Sequence, residues 1–167
     1  MGYQLWPIIT QDGMCSVPDV VLHGVWKQMV AEGRAPEHVF YGGWVNSPER
    51  FAEFVKLPGV LPVFVIDDEA KKIVFFAWLD GVQDGYASGH FCALGPIRRG
   101  AFAAVIDYWR SWGSIRVLIG ITPETNEFAL RLIRKMGFTS LGGVVPQFCN
   151  LATQGRIVGA VISYLEL

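Results

Sequence analysis

Ser88, His90, Cys92 and Leu94 stand two residues apart in the segment Tyr86 to Leu94, so on an extended strand their side chains share one face. Of these, His90 carries the side chain best suited to proton transfer, because an imidazole ordinarily titrates between pH 5 and 8. It can take a proton from an amine directly or through a water. A hydrogen-bonded sheet histidine fits the same position, and the sequence leaves both readings open. His23 and His38 have no comparable placement. Cys92 reads as a small apolar packing residue rather than a nucleophile, since reactive thiols need accessible, electropositive surroundings.

A second chemical opportunity follows that strand. Gly95-Pro96-Ile97-Arg98-Arg99-Gly100 leads into a helical run carrying Ala103, Ala104, Ile106, Tyr108, Trp109 and Trp112. A helix beginning here aims unpaired N–H groups and the positive end of its dipole at the loop. Phosphate is the natural occupant of such a place. Taken alone, Arg98 and Arg99 also fit a solvated basic pair at the surface.

The elements that must position these groups are best marked between Ile115 and Phe138. A short apolar run (Ile115, Val117, Leu118, Ile119, Ile121) breaks at Thr122-Pro123, and Phe128, Ala129, Leu132, Ile133 and Met136 then recur at helical spacing. Thr125 or Asn126 can cap the helix, Arg134 and Lys135 suit its negative end, and Gly137 supplies the residue that leaves it. The pattern predicts strand, tight turn and helix.

Asn126, Ala129, Leu132, Lys135, Gly137 and Phe138 follow an N-x-x-A-x-x-L-x-x-K-x-G-F pattern, and the chain resembles the GNAT superfamily of acyl-CoA N-acyltransferases. Its second motif, (Q/R)-x-x-G-x-(G/A), is matched by Arg98-Arg99-Gly100-Ala101-Phe102-Ala103 with Ala101 at the central glycine. The resemblance implies that acetyl-CoA (CoA) is the cofactor, bound where the fourth and fifth strands splay apart. Backbone amides from Arg99 to Ala103 would hold its pyrophosphate, with Arg98 or Arg99 as counter-charge. Backbone groups at Cys92, Ala93 and Leu94 would pair with the pantetheine arm. Asn126 would contact the cofactor, although capping its own helix explains it equally well.

GNAT transfer is direct, amine to thioester, so the resemblance implies catalysis around His90 and Ser88 with no acyl-enzyme. The tyrosine that usually protonates the departing thiolate falls on Ile133, which cannot donate; Tyr108, Tyr164 or a water would have to substitute. The acceptor, small molecule or protein, is not specified by the N-terminal half. Ile133 and Ala101 also fit a second reading, a catalytically silent GNAT-fold module for CoA binding or assembly.

Upstream, Tyr3 to Ile9 reads as a first strand ending in a turn at Gln11-Asp12-Gly13, and Ser16 as the cap of a helix that ends near Gly33. Arg34 to Trp44 reads as a loop, and Ser47-Pro48 opens a second helix. Phe40, Tyr41 and Trp44 fit either core packing or an aromatic acceptor pocket. Leu61 to Ile66, Lys72 to Asp80 and Tyr86 to Leu94 predict an antiparallel meander. Asp67, Asp68 and Glu69 form an acidic turn that fits solvated hairpin charge better than a lure for a cationic amine, and Asp80 and Asp84 read the same way. Thr139 to Val145 and Arg156 to Leu165 predict the last two strands, with Pro146 to Gly155 between them.

The expectation is one mixed α/β domain over residues 1–167, a GNAT fold with a mostly antiparallel sheet of six to seven strands and flanking helices. Apolar residues make up 51% and charged residues 17%, which excludes a disordered chain. Fourteen basic and fifteen acidic residues leave a net charge of -1, so no basic field draws nucleic acid or an anionic membrane. The three cysteines, Cys15, Cys92 and Cys149, lack metal-ligand spacing and read as free thiols. No secretory signal opens the chain and no apolar run approaches a membrane span, so the protein reads as cytoplasmic. An oligomer is compatible with these features.

Overall fold

Strand β1 (Tyr3–Pro7) is followed by a small hairpin of β2 (Thr10–Gln11) and β3 (Met14–Cys15) in this computed structural model, which describes residues 2–167. Asp12 and Gly13 both take positive φ, as a two-residue hairpin turn requires. Ser16 does not cap the next helix: its hydroxyl accepts the N–H of Ile9 at 2.9 Å and ties the hairpin base together. Helix α1 (Asp19–Ala31) starts from Pro18 instead, whose fixed φ suits a helix entry. Helix α2 (Pro48–Val55) starts as its sequence predicts, with Ser47 Oγ accepting the N–H of Arg50 at 3.2 Å.

The meander β4 (Leu61–Asp67), β5 (Lys72–Gln83) and β6 (Tyr86–Ala93) leads to α3 (Arg99–Ser111), β7 (Val117–Pro123) and α4 (Glu127–Lys135). Asn126 Oδ1 accepts the N–H of Ala129 at 3.1 Å, so Asn126 rather than Thr125 caps α4. Gly137 leaves the helix with φ +91°. The chain ends in β8 (Thr139–Ser140), β9 (Val145–Leu151) and β10 (Arg156–Glu166). Here the expected single strand over 139–145 is cut short, because Gly142 and Gly143 turn the chain with positive φ. Much of the stretch expected to separate two strands, from Pro146 onward, is itself a strand on β10.

The main sheet has eight strands, one more than the upper expectation, in the order β1-β4-β5-β6-β7-β10-β8 with β9 also on β10. Neighbours are antiparallel except β6 and β7. Helices α1 and α2 cover one face, where Trp26, Met29 and Phe51 pack with Phe64, Phe76 and Trp78. Helix α3 covers the other, where Phe102, Val105 and Trp109 meet Val65, Phe75 and Leu79. Because both faces are covered, β4 and β5 carry unbroken buried apolar runs instead of alternation. Each fully buried Phe or Leu contributes roughly 1.5–3 kcal/mol, enough to keep the strands rigid on either side of the site.

Candidate functional site

The parallel contact between β6 and β7 is brief. Tyr86, Ala87 and Ser88 pair with Val117, Leu118 and Ile119, and the pairing then stops. Beyond Ser88 and Ile119 the two strands part and leave a gap in the middle of the sheet. The N–H of Leu94 donates to Val74 O at 2.9 Å, across to β5. Backbone groups alternate sides along an antiparallel strand, so Cys92 and His90 also face β5. Phe91 and Ala93 therefore turn their peptide groups toward the gap. Of the expected Cys92, Ala93 and Leu94, Ala93 thus turns its peptide groups to the gap and Phe91 joins it, whereas the side chains of Cys92 and Leu94 are buried under α1 and α2. Burial also pushes the Cys92 thiol up to about 12, with Arg34 opposing and Glu32 adding to the shift. At neutral pH it is not a thiolate.

A cavity of about 330 Å³ passes through this gap from one sheet face to the other. On the first face it is bounded by the loop His38 to Val45 with Phe54, Trp78 and His90; on the second by Phe91, Phe102, Phe138 and α4. Helix α4 has apolar residues along one side and charged ones along the other, yet none of its residues is buried. Ala129, Leu132, Ile133 and Met136 overhang the cavity instead. An amphipathic face left open to a cleft gains stability from whatever apolar ligand fills it. A smaller adjoining cavity of about 100 Å³ lies beside Ala93 and Asn126. Arg34 reaches over it, with Cζ 5.0 Å from the Phe128 ring centroid, and its Nε is buried without a partner.

His90 stacks face to face on Trp78, with centroids 4.6 Å apart and planes 3° from parallel. Its Nε2 lies 3.1 Å from Asp80 Oδ2, close enough for ionic attraction but without the alignment of a hydrogen bond. Trp78 Nε1 donates to the same oxygen at 3.4 Å. Burial opposes ionisation of Asp80, but His90, Trp78 and Ser88 more than offset it and hold the carboxyl below the ordinary carboxylate range. Its stabilising contribution is therefore complete above that range and is lost only as pH falls through the lowered folded value. The chain kinks directly after Asp80, where a bulge interrupts β5 before Gln83. Ser88, the cross-strand partner of Asp80, touches this group only through the carboxylate. Such an arrangement can fix an imidazole and leave its Nδ1 to accept a proton.

At the start of α3, Arg98 is not a free counter-charge. Its guanidinium pairs with Asp67, which is 2% exposed and also accepts the N–H groups of Glu69 and Ala70. Asp67 is thus an internal clasp, not the solvated hairpin charge its neighbours suggest. The N–H groups of Ala101 and Phe102 bond to Arg98 O, and the helix repeat commits that of Ala103. Among the described residues no acceptor meets the amides of Arg99 and Gly100, and no side chain caps this helix. Ala101 and Phe102 point into the core, whereas Ala103 and Arg99 are exposed. A Cβ on Gly100 would come within 2.6 Å of the Tyr3 ring, so this glycine serves packing against β1.

Arg99 is therefore the position at which to test anion binding. If the cofactor that the resemblance implies is held at this helix end, Arg99→Glu is expected to weaken CoA binding by about tenfold or more, near 1.4 kcal/mol. Thermal stability should hold or rise slightly, because a carboxylate suits the first turn of a helix. Calorimetric titration with CoA beside a thermal melt measures both, and unchanged affinity would remove this helix end from the site.

No protein-family model and no curated protein matches the sequence. Solved structures do match. Ribosomal-protein-S5-alanine acetyltransferase from Vibrio fischeri superposes with a TM-score of 0.70 over 98% of this chain and 92% of that one, at 13% identity. The chain has the GNAT fold. RimL, the ribosomal L7/L12 alpha-N-protein acetyltransferase solved with coenzyme A, gives 0.71 over 90% and 91% at 10% identity. Dodecameric spermidine N-acetyltransferase from Vibrio cholerae gives 0.65 over 98% and 93% at 12% identity.

Ile133, which the resemblance sets at the proton-donor position, lines the cavity. The expected substitutes do not reach it: Tyr108 packs edge-on against Trp112, and Tyr164 sits on β10 opposite Ile119. The tyrosine at the cavity is Tyr41, whose phenol is raised by burial first and then by Cys149, 3.8 Å away. It stays protonated, with its hydroxyl against Cys149. The sequence sets Asp80 among solvated charges and gives Arg34 no role; the signal for Asp80 is its place opposite Ser88 in the meander. Among the described residues no helix is long and apolar enough to cross a membrane, and no group of three His, Cys, Asp or Glu could hold a metal ion.

Proposed function

We infer that this protein is an N-acetyltransferase that moves an acetyl group from acetyl-CoA to a primary amine by direct attack. The observation that carries the reading is the parting of β6 and β7 around a cavity that crosses the sheet. The residues fit the cofactor on their own terms. The free amides of Arg99 and Gly100 suit its phosphates, the peptide edges of Phe91 and Ala93 suit its amide-bearing arm, and the open face of α4 suits the arm's apolar parts. Arg34, with a buried nitrogen lacking a partner, adds positive charge beside that route. When bound, acetyl-CoA supplies an acetyl group already activated as a thioester.

The chain's own residues then have three tasks. His90, held by Trp78 and Asp80, takes the proton of the attacking amine. Tyr41 offers an O–H at the cavity to the departing sulfur or the developing oxyanion. The strand edges and α4 hold the acetyl group in place and exclude water. Ser88 supports Asp80 and is a positioning residue.

One feature favours the silent assembly module: Leu141, Phe148 and Ile157 on the C-terminal ribbon are 66%, 53% and 61% exposed. Thermal unfolding with acetyl-CoA separates acetyl transfer from an assembly module that ignores the cofactor, and thiol release on adding amines separates it from a silent module that binds CoA. An acetyl-transfer enzyme should gain about 2.7 kcal/mol of stability at a hundredfold excess over its dissociation constant. No shift at millimolar acetyl-CoA or CoA would leave the fold and remove the proposed activity.

A further inference from the structure

The half of the cavity on the α1/α2 face differs in chemistry from a polyamine or peptide site. Its walls are the rings of Phe40, Tyr41, Trp44, Phe54, Trp78 and His90. No Asp, Glu, Lys or Arg is among the described residues that line the cavity. The Asp80 carboxylate is engaged by His90 and Trp78 and does not line the cavity. An acceptor with several ammonium groups would be stripped of water here with nothing to pair with, which is costly. A single amine attached to a ring meets matching surfaces, and the apolar walls favour its neutral, attacking form.

The loop forming this half is also fixed in place. The N–H of Ala152 donates to Tyr41 O at 2.9 Å, and the Tyr41 hydroxyl lies 3.8 Å from Cys149 Sγ. At Gly43 the backbone presses so closely on the ribbon that a Cβ would stand 2.7 Å from that of Ala152. These ties hold the aromatic wall of this half in place.

Resting on the acetyl-transfer reading above, we propose that the acceptor is a small primary arylalkylamine. The amine nitrogen forms the new C–N bond to the acetyl carbon while the C–S bond breaks with its electrons on sulfur. The amine proton passes to His90 Nδ1, the sulfur takes a proton from water to which His90 returns its own, and the products are the N-acetylated amine and free CoA thiol.

The test offers the full chain acetyl-CoA with 2-phenylethylamine, spermidine or a peptide with an N-terminal alanine, and follows thiol release. The expected result is a kcat/KM for 2-phenylethylamine at least about tenfold above the other two. Trp44, 48% exposed and edge-on to Phe54, can be trimmed without opening the core. Trp44→Ala should raise the KM for 2-phenylethylamine about tenfold, with kcat and the acetyl-CoA thermal shift unchanged. If acetyl-CoA still raises the melting temperature but spermidine or the peptide is used as well or better, the acceptor class is overturned alone; if it raises the melting temperature and no amine releases thiol, the acceptor class and the acetyl-transfer reading fall together to the silent module. If acetyl-CoA gives no shift, the acetyl-transfer reading falls and this proposal falls with it.

Discussion

His90→Ala is expected to lower turnover by about 10² to 10⁴-fold, the usual worth of a positioned proton acceptor, while CoA affinity is unchanged. The imidazole lies at the cavity wall on the face opposite α4, so removing it leaves the proposed cofactor route intact. Stability should fall only by about 0.5–1.5 kcal/mol, the value of an aromatic stack, because the ring is one-third exposed. Asp80→Asn should give a smaller loss of turnover and change the acid limb of the pH–rate profile. Asp80 is held below the ordinary carboxylate range, so it is already ionised across pH 5 to 8, where imidazoles ordinarily titrate. Steady-state kinetics over that range, with CoA titrations and melts of both variants, decide the matter. Parallel loss of stability and activity in His90→Ala would assign the ring a structural role only.

The largest effect on stability is expected at Asp67. Asp67→Ala removes the partner of Arg98 and the acceptor for the N–H groups of Glu69 and Ala70 at once. Breaking a buried charge pair costs about 3–5 kcal/mol, and the partial exposure of Arg98 places the expectation near the lower end, at about 3 kcal/mol. For a chain of this size that is a fall of roughly 6–12 °C in melting temperature. Asp67→Asn keeps an oxygen for the turn and should lose less. Replacing both partners, as Asp67→Leu with Arg98→Met, should recover part of the loss, since no charge is then stranded. A loss under about 1 kcal/mol in Asp67→Ala would show that water reaches the pair and screens it.

Asp67 also shows why some of this molecule was legible in its sequence and some was not. The β7–α4 unit could be read because its signals are local: an apolar run, a capping Asn126 and a positive-φ Gly137 lie within one short segment. The same holds for Ser47 and the second helix. Asp67 looks like a solvated turn residue because the guanidinium that buries it comes from Arg98, 31 positions away. Asp80 gains its meaning only from the register that sets it opposite Ser88 and near His90. The backbone that faces the cleft depends on which side of β6 is committed to β5, a one-residue distinction invisible without the pairing at Leu94. Arg34, in a segment legible only as loop, is brought to the cleft by the path of that loop over α4.

Trp78 lies between two nearly parallel rings, Phe40 at 5.3 Å and His90 at 4.6 Å. With Asp80 at its edge, the imidazole cannot turn about its side-chain bonds without breaking the stack. The rotamer entropy of a proton acceptor, which a mobile side chain would surrender anew in every catalytic cycle, is here lost once, when the core forms.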